Sequence, residues 1–95
     1  MNYRISRPAR DDLEEIWRYS TATWGSERAD AYLDAILSRL AWLTVNKPLW
    51  RERNVIAPGL YSYPQGRHVI LFRERSGAMD VVRILHDRMD IRRHV

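Results

Sequence analysis

Apolar residues recur every three or four positions through the first half of the chain, which predicts two amphipathic helices. The apolar stripe of the first helix comprises Ala9, Leu13, Ile16, Trp17 and Trp24. The stripe of the second helix comprises Ala29, Tyr32, Leu33, Ile36, Leu37, Leu40 and Leu43. Ser6 or Arg7 is expected to cap the first helix, and Ser26 the second. Because Gly25 separates the two stripes, we expect a helical hairpin.

The second half of the chain follows an extended pattern instead. Residues 45–58 are interrupted by asparagine and proline, so we expect a connecting loop there. Strands are predicted at residues 60–63, 67–74 and 79–86, and Tyr3–Ile5 forms another short strand. The order β-α-α-β-β-β predicts an α+β fold, in which the N-terminal short strand and the helical hairpin accompany an antiparallel β-sheet.

Residues 1–95 are expected to form a single domain, since domains of this length are common. One face of the sheet should carry the helical hairpin, and the other should stay partly open. The tail from Asp87 to Val95 is polar with single apolar residues, which indicates either one helical turn or disorder.

Composition excludes several classes of protein and site. The chain has no cysteine, which excludes disulfides and thiolate metal sites. No apolar run approaches the roughly 20 residues that cross a bilayer, and the N-terminus lacks the apolar stretch of a signal peptide. A cytoplasmic protein without membrane association is therefore expected. His68, His86 and His94 lack the paired spacing of metal ligands, so neither a metal nor a cofactor is expected.

Positive charge is concentrated in the second half of the chain. The net charge is +4, and 15 of the 16 basic residues are arginine. Residues 1–46 hold six arginines against seven acidic residues, whereas residues 47–95 hold nine arginines and Lys47 against five. Because the guanidinium group binds carboxylates, phosphates and aromatic faces, this distribution predicts an anionic partner, either nucleic acid or an acidic polypeptide. A solvated arginine-rich surface would explain the same excess.

Three segments carry a resemblance to a known family. Residues 5–19 read ISRPARDDLEEIWRY, Trp24-Gly25 precedes a helix that begins with small and acidic residues, and residues 81–91 read VVRILHDRMDI. Together with GRHVILFR at residues 66–73, they resemble the ParE branch of the RelE/ParE toxin superfamily over nearly the whole chain.

This resemblance implies the toxin of a type II toxin–antitoxin system, which inhibits DNA gyrase and replication and is neutralised by a ParD-like antitoxin. It also implies a hetero-oligomer with that antitoxin, a heterotetramer or larger, and no small-molecule substrate. RelE-type members of the superfamily instead cleave mRNA on the ribosome. Because both types share one fold, the fold cannot decide between them.

A metal-independent ribonuclease requires a base, an acid and positive groups within hydrogen-bond reach of one phosphate. The candidates for that site are Glu52, Arg67, Arg73, Arg83 and His86. On a regular strand Arg83 shares one side with Leu85, whereas His86 lies on the other side with Val82 and Ile84. This alternation argues against a nuclease, and we assign no catalytic residue. A bulge at Leu85 would remove the objection.

The resemblance and the distribution of aromatic and basic residues suggest two sets of contacts. The antitoxin is expected to lie across the helical hairpin and the basic sheet surface, and the residues assigned to it are Leu13, Trp17, Tyr32, Trp50, Arg67, Arg73 and Arg83. The residues assigned to toxicity and to gyrase are Arg83, His86, Arg88, Asp90, Arg92 and Arg93. His86 is also expected to bond a backbone carbonyl or Asp90 and so to hold the tail against the sheet. We expect the tail and Arg83 to be dispensable for folding.

Overall fold

The structure, a computed structural model, describes all 95 residues and places two helices against one face of a five-stranded sheet. The helices are α1 (Arg7–Trp24) and α2 (Ser26–Thr44). The strands are β1 (Tyr3–Ile5), β2 (Arg51–Glu52), β3 (Tyr61–Gln65), β4 (His68–Arg75) and β5 (Ala78–His86). Short 3-10 turns lie at Lys47–Leu49 and Ile91–Arg93. The sheet order is β1-β5-β4-β3-β2, and the α+β prediction is confirmed.

The two helix starts differ in how they are capped. The Ser6 hydroxyl accepts a hydrogen bond from the Ala9 N–H at 3.2 Å, so Ser6 is the cap of α1 and Arg7 is its first residue. The predicted Ser26 cap is wrong, because α2 begins at Ser26 itself and its start has no side-chain capping bond. Gly25 joins the helices with a φ of 91°, a conformation that few side chains tolerate.

Two features of the sheet correct the sequence prediction. β1 runs parallel to β5, with Tyr3 opposite Met79, whereas the other strand pairs are antiparallel. Residues 45–58 are more than a loop, because they contain the 3-10 turn and β2. β2 pairs with only the first two residues of β3, which is too short a ladder for a periodicity to reveal.

A bulge in β5 changes which side chains share a face of the sheet. Leu71 pairs with Arg83 and Phe72 pairs with Val81, so Val82 is the extra residue. Val82 therefore packs with Leu85 on the face away from the helices, and the predicted grouping of Val82 with His86 is wrong.

Apolar side chains cover both faces of the sheet. The main core lies between the helices and the sheet and includes Ile16, Ile36, Leu40, Phe72 and Val81. On the other face Leu60, Leu71 and Leu85 are buried beneath Ile56, Ala57 and Ile91. This face is covered more fully than expected, because the loop before β3 and the helical turn of the tail pack on it. Neither α1 nor α2 contains an apolar stretch of the length that a membrane-spanning helix requires.

One ion pair joins α1 to the edge of β5 beyond the end of β1. The Asp12 carboxylate accepts hydrogen bonds from Nε and Nη2 of Arg83, both at 2.8 Å, and from the Ile84 N–H at 2.9 Å. Asp12 thus takes the place of a neighbouring strand at this edge. The hydrogen bond to Asp12 raises the pKa of the Arg83 guanidinium above its usual value. Arg83 therefore has a structural role, which argues against the expectation that it is dispensable for folding.

Candidate functional site

A groove of about 610 Å³ opens between α1 and the adjacent ends of β4 and β5. Its apolar walls are formed by Ile16, Tyr19, Trp24, Tyr32, Ile84 and Met89. Its polar and charged lining consists of Asp12, Glu15, Ser20, Arg67, His68, His86 and Arg88. Tyr19 is 65% exposed and Trp24 is 46% exposed, so large aromatic surfaces face solvent at this groove.

Tyr32 and His68 form a hydrogen-bonded pair in the groove. The Tyr32 hydroxyl accepts the Arg67 N–H at 3.0 Å and lies 2.5 Å from Nδ1 of His68. The Tyr32 hydroxyl also donates to the Gln65 carbonyl at 3.4 Å, so it both accepts and donates hydrogen bonds within the fold. Gly66 permits this approach, since a Cβ there would lie 2.7 Å from the Tyr32 hydroxyl.

The two groove histidines face each other across the β4–β5 ladder. His68 pairs directly with His86, and their ring centroids are 5.5 Å apart. Nδ1 of His86 receives the Arg88 N–H at 3.2 Å and lies 3.1 Å from a carboxylate oxygen of Asp87. The predicted bond of His86 to a backbone carbonyl or Asp90 is therefore wrong. Asp90 instead caps the last helical turn by accepting the Arg92 N–H.

Burial sets the protonation states in this cluster. It lowers the pKa of the His68 imidazole, and the adjacent His86 lowers it further, whereas Asp87 acts in the opposite direction. Burial also raises the pKa of the Tyr32 hydroxyl. At neutral pH the groove therefore holds a neutral imidazole and a protonated phenol beside the side chain of Arg67.

Acidification is expected to destabilise the protein through His68. Because its pKa in the folded chain lies below the ordinary value of 6.5, the unfolded chain takes up the proton first as the pH falls. Stability from this source is present above about pH 6.5 and is lost below it. Thermal unfolding from about pH 7.5 to 5.5 should show a falling melting temperature, and His68→Gln should reduce that fall. His94→Gln, at the chain end, is the control, and equal slopes in both variants would contradict the assignment.

The groove brings together residues from both predicted sets. Tyr32 and Arg67, assigned to the antitoxin, line it together with His86 and Arg88, assigned to toxicity. Of the nuclease candidates only Arg67 and His86 lie there.

Other assigned residues lie elsewhere and are engaged within the fold. Leu13 packs against the main core, and Trp50 is only 8% exposed and donates its ring N–H to the Leu43 carbonyl. The Trp17 ring N–H bonds Asp30 across the hairpin, and Arg73 bonds the Pro58 carbonyl.

The remaining assigned residues and the nuclease candidate Glu52 lie at the edges of the fold. Arg83 is held by Asp12, and Glu52 is exposed in β2, the strand at the sheet edge. Arg92 and Arg93 are exposed in the last turn. The sequence analysis did not identify His68 as a site residue. His68 and His86 lie in neighbouring strands, but only the register between β4 and β5 shows that they face each other.

This chain is similar to known proteins along nearly its whole length. Residues 3–91 match the family model described as the ParE toxin of type II toxin-antitoxin system, parDE. The chain is 34% identical to Toxin ParE1 of Mycobacterium tuberculosis H37Rv over 98% of this chain and 96% of that protein. It is 29% identical to Toxin ParE1 of Caulobacter vibrioides, again over 98% and 96%.

A solved structure shares the fold. The chromosomal ParDE TA system from P. aeruginosa superposes with a TM-score of 0.78 at 20% identity, over 90% of this chain and 95% of that chain. The family match and the relatives lead to one conclusion, that this chain belongs to the ParE toxin family of type II toxin–antitoxin systems.

Proposed function

We propose that this chain arrests bacterial growth in the cytoplasm by inhibiting DNA gyrase, and that a ParD-like antitoxin neutralises it. The observation that carries the proposal is the match of residues 3–91 to the ParE toxin family. The structure with the shared fold is described as a ParDE system, which supports an antitoxin as the partner. The arginine-rich second half agrees with an acidic protein partner.

The antitoxin segment is proposed to occupy the groove. Exposed aromatic surface at Tyr19 and Trp24 offers sites for apolar anchors, and Arg67 and Arg88 offer partners for acidic side chains. Aromatic residues and arginine are the types most enriched among side chains that dominate binding energy. A segment that is disordered when free would cover such a groove as it folds.

Neutralisation would then act by direct occlusion. His86 and Arg88, which are assigned to the target, lie in the same groove as Tyr32 and Arg67. An antitoxin seated there covers both sets at once, so the free and neutralised states need no change of fold.

A ribosome-dependent endoribonuclease is a second candidate, and a specific observation favours it. The groove gathers a neutral imidazole at His68, a protonated phenol at Tyr32 and the cationic side chains of Arg67 and Arg88. A neutral imidazole can act as a general base, and arginines can stabilise charge on a phosphate. Cleaved mRNA is the product that would distinguish an endoribonuclease from a gyrase inhibitor.

Two assays with the purified chain separate these candidates. Gyrase supercoiling and DNA-cleavage reactions should show loss of supercoiling and accumulation of cleaved DNA as toxin is added. A translating extract with labelled mRNA should show intact message at the same concentrations. Growth arrest after induction is expected in either case. Cleaved mRNA with unaffected gyrase would reverse the order of the two candidates.

A further inference from the structure

A second cluster of arginine and aromatic side chains lies on α2 and the sheet edge, and we call it the edge patch (Arg39, Trp42, Arg51 and Tyr63). The Arg39 guanidinium carbon lies 4.6 Å from the Trp42 ring centroid and 5.3 Å from that of Tyr63. The Arg51 guanidinium carbon lies 5.3 Å from the Tyr63 centroid. The two rings are 5.4 Å apart. The edge patch is thus a continuous run of planar groups in which each ring contacts an arginine, and both rings are only partly exposed because they also pack against the main core.

The positive charge of the edge patch is not neutralised within the fold. Neither Arg39 nor Arg51 forms a salt bridge. Arg39 donates instead to the neutral side chain of Gln65 at 2.9 Å, which fixes its position and leaves its charge unpaired. An anionic partner is therefore the electrostatic complement of this surface.

The backbone of the same edge is poorly suited to a peptide that adds as a strand. β2 covers only Tyr61 and Ser62 of β3, so the edge is open from Tyr63 onward. Pro64 lies in this open stretch and has no N–H to donate to an added strand. Recognition here depends on side chains, and the side chains are guanidinium groups and aromatic rings.

We propose that the edge patch binds single-stranded nucleic acid. Bases stack on aromatic rings and on guanidinium planes, and phosphates pair with arginine, so a strand that alternates bases with phosphates matches this surface. No residue of the edge patch lines the groove. The two surfaces share α2, because Tyr32 lines the groove and Arg39 and Trp42 of the edge patch lie on the same helix.

The first test compares the affinities of two single strands of equal charge for the wild-type protein. Fluorescence anisotropy should show that a labelled 12-nucleotide thymidine strand binds at least about fivefold more tightly than an abasic strand of the same length, because stacking contributes substantially for each base. Equal affinity for the two strands would overturn the proposal. A 12-base-pair duplex should also bind more weakly than the thymidine strand, and preferred binding of the duplex would overturn it as well.

The second test locates the binding surface. Each arginine–phosphate contact contributes about 0.7 to the slope of log affinity against log salt for single strands, so Arg39→Gln with Arg51→Gln should lower that slope by about 1.4. Arg7→Gln with Arg10→Gln removes the same charge from exposed positions on α1 and should leave the slope unchanged. Thermal unfolding checks that both variants fold.

Equal slopes in the two double variants would mean that only net charge matters, and this would overturn the proposal. An edge-patch variant that binds the thymidine strand like wild type but no longer arrests growth would assign the patch to a protein partner. That result would overturn the proposal as well.

Discussion

Asp12→Ala is expected to lower the free energy of unfolding by about 3 kcal/mol, because it leaves a half-buried charge and a strand-edge N–H without a partner. The Arg83 and Asp12 side chains are only 24% and 14% exposed, so water can replace the lost carboxylate only in part. For a chain of this size the loss corresponds to a fall of roughly 12–24 °C in melting temperature. Chemical denaturation followed by tryptophan fluorescence measures it.

Glu15→Ala is the matched control for this prediction. Glu15 lies on the same helix, is 78% exposed and makes only a long ion pair of 3.8 Å with Arg18. Its removal should change the free energy of unfolding by less than about 0.5 kcal/mol. If the two variants are equally stable, Asp12 does not hold the edge of β5. A loss of toxicity in an Arg83 variant can be read as a target contact only when its stability is unchanged.

Trp24→Ala is expected to weaken binding of the cognate antitoxin by about 30-fold, equivalent to about 2 kcal/mol. The residue lines the groove and is 46% exposed, so the substitution removes an anchor site without opening the core. The affinities follow from isothermal titration calorimetry with the purified antitoxin. The melting temperature of the free toxin should change little.

Leu49→Ala is the control for the groove, because Leu49 is an exposed apolar residue outside it at 51% exposure. It should bind the antitoxin like wild type. Equal affinities for Trp24→Ala and wild type would exclude Trp24 from the interface. Weaker binding of Leu49→Ala alone would place the antitoxin at the other end of the hairpin.

The helices could be predicted from the sequence because residues that are close along the chain determine where they begin and end. Gly25 separates the two apolar stripes, and the Ser6 hydroxyl caps α1 only three residues away. The parallel placement of β1 depends on a partner in β5 some 76 residues later, as between Tyr3 and Met79. β2 is too short for any periodicity. Periodicity depends on residues that are close along the chain, whereas β1 and β2 form because of pairing with residues that are distant in sequence.

The candidate site was harder to predict because one extra residue determines its register. A regular hairpin that continued the pairing of Arg75 with Ala78 would place His86 opposite Arg67. The bulge at Val82 shifts the ladder by one residue and places His86 opposite His68. The sequence analysis assumed a regular strand and considered a bulge only at Leu85, and nothing in the sequence indicated one at Val82. The exposure of Trp24 was also unexpected, since its spacing suggested a core residue.

Hydrogen exchange of the purified toxin, with and without its cognate antitoxin, tests most directly whether the groove is the neutralised surface. The antitoxin should slow exchange in the turn at residues 65–68 and in residues 86–90, and little should change around β2. Slowed exchange confined to residues 51–64, with the groove unchanged, would contradict the proposal that one surface serves both antitoxin and target.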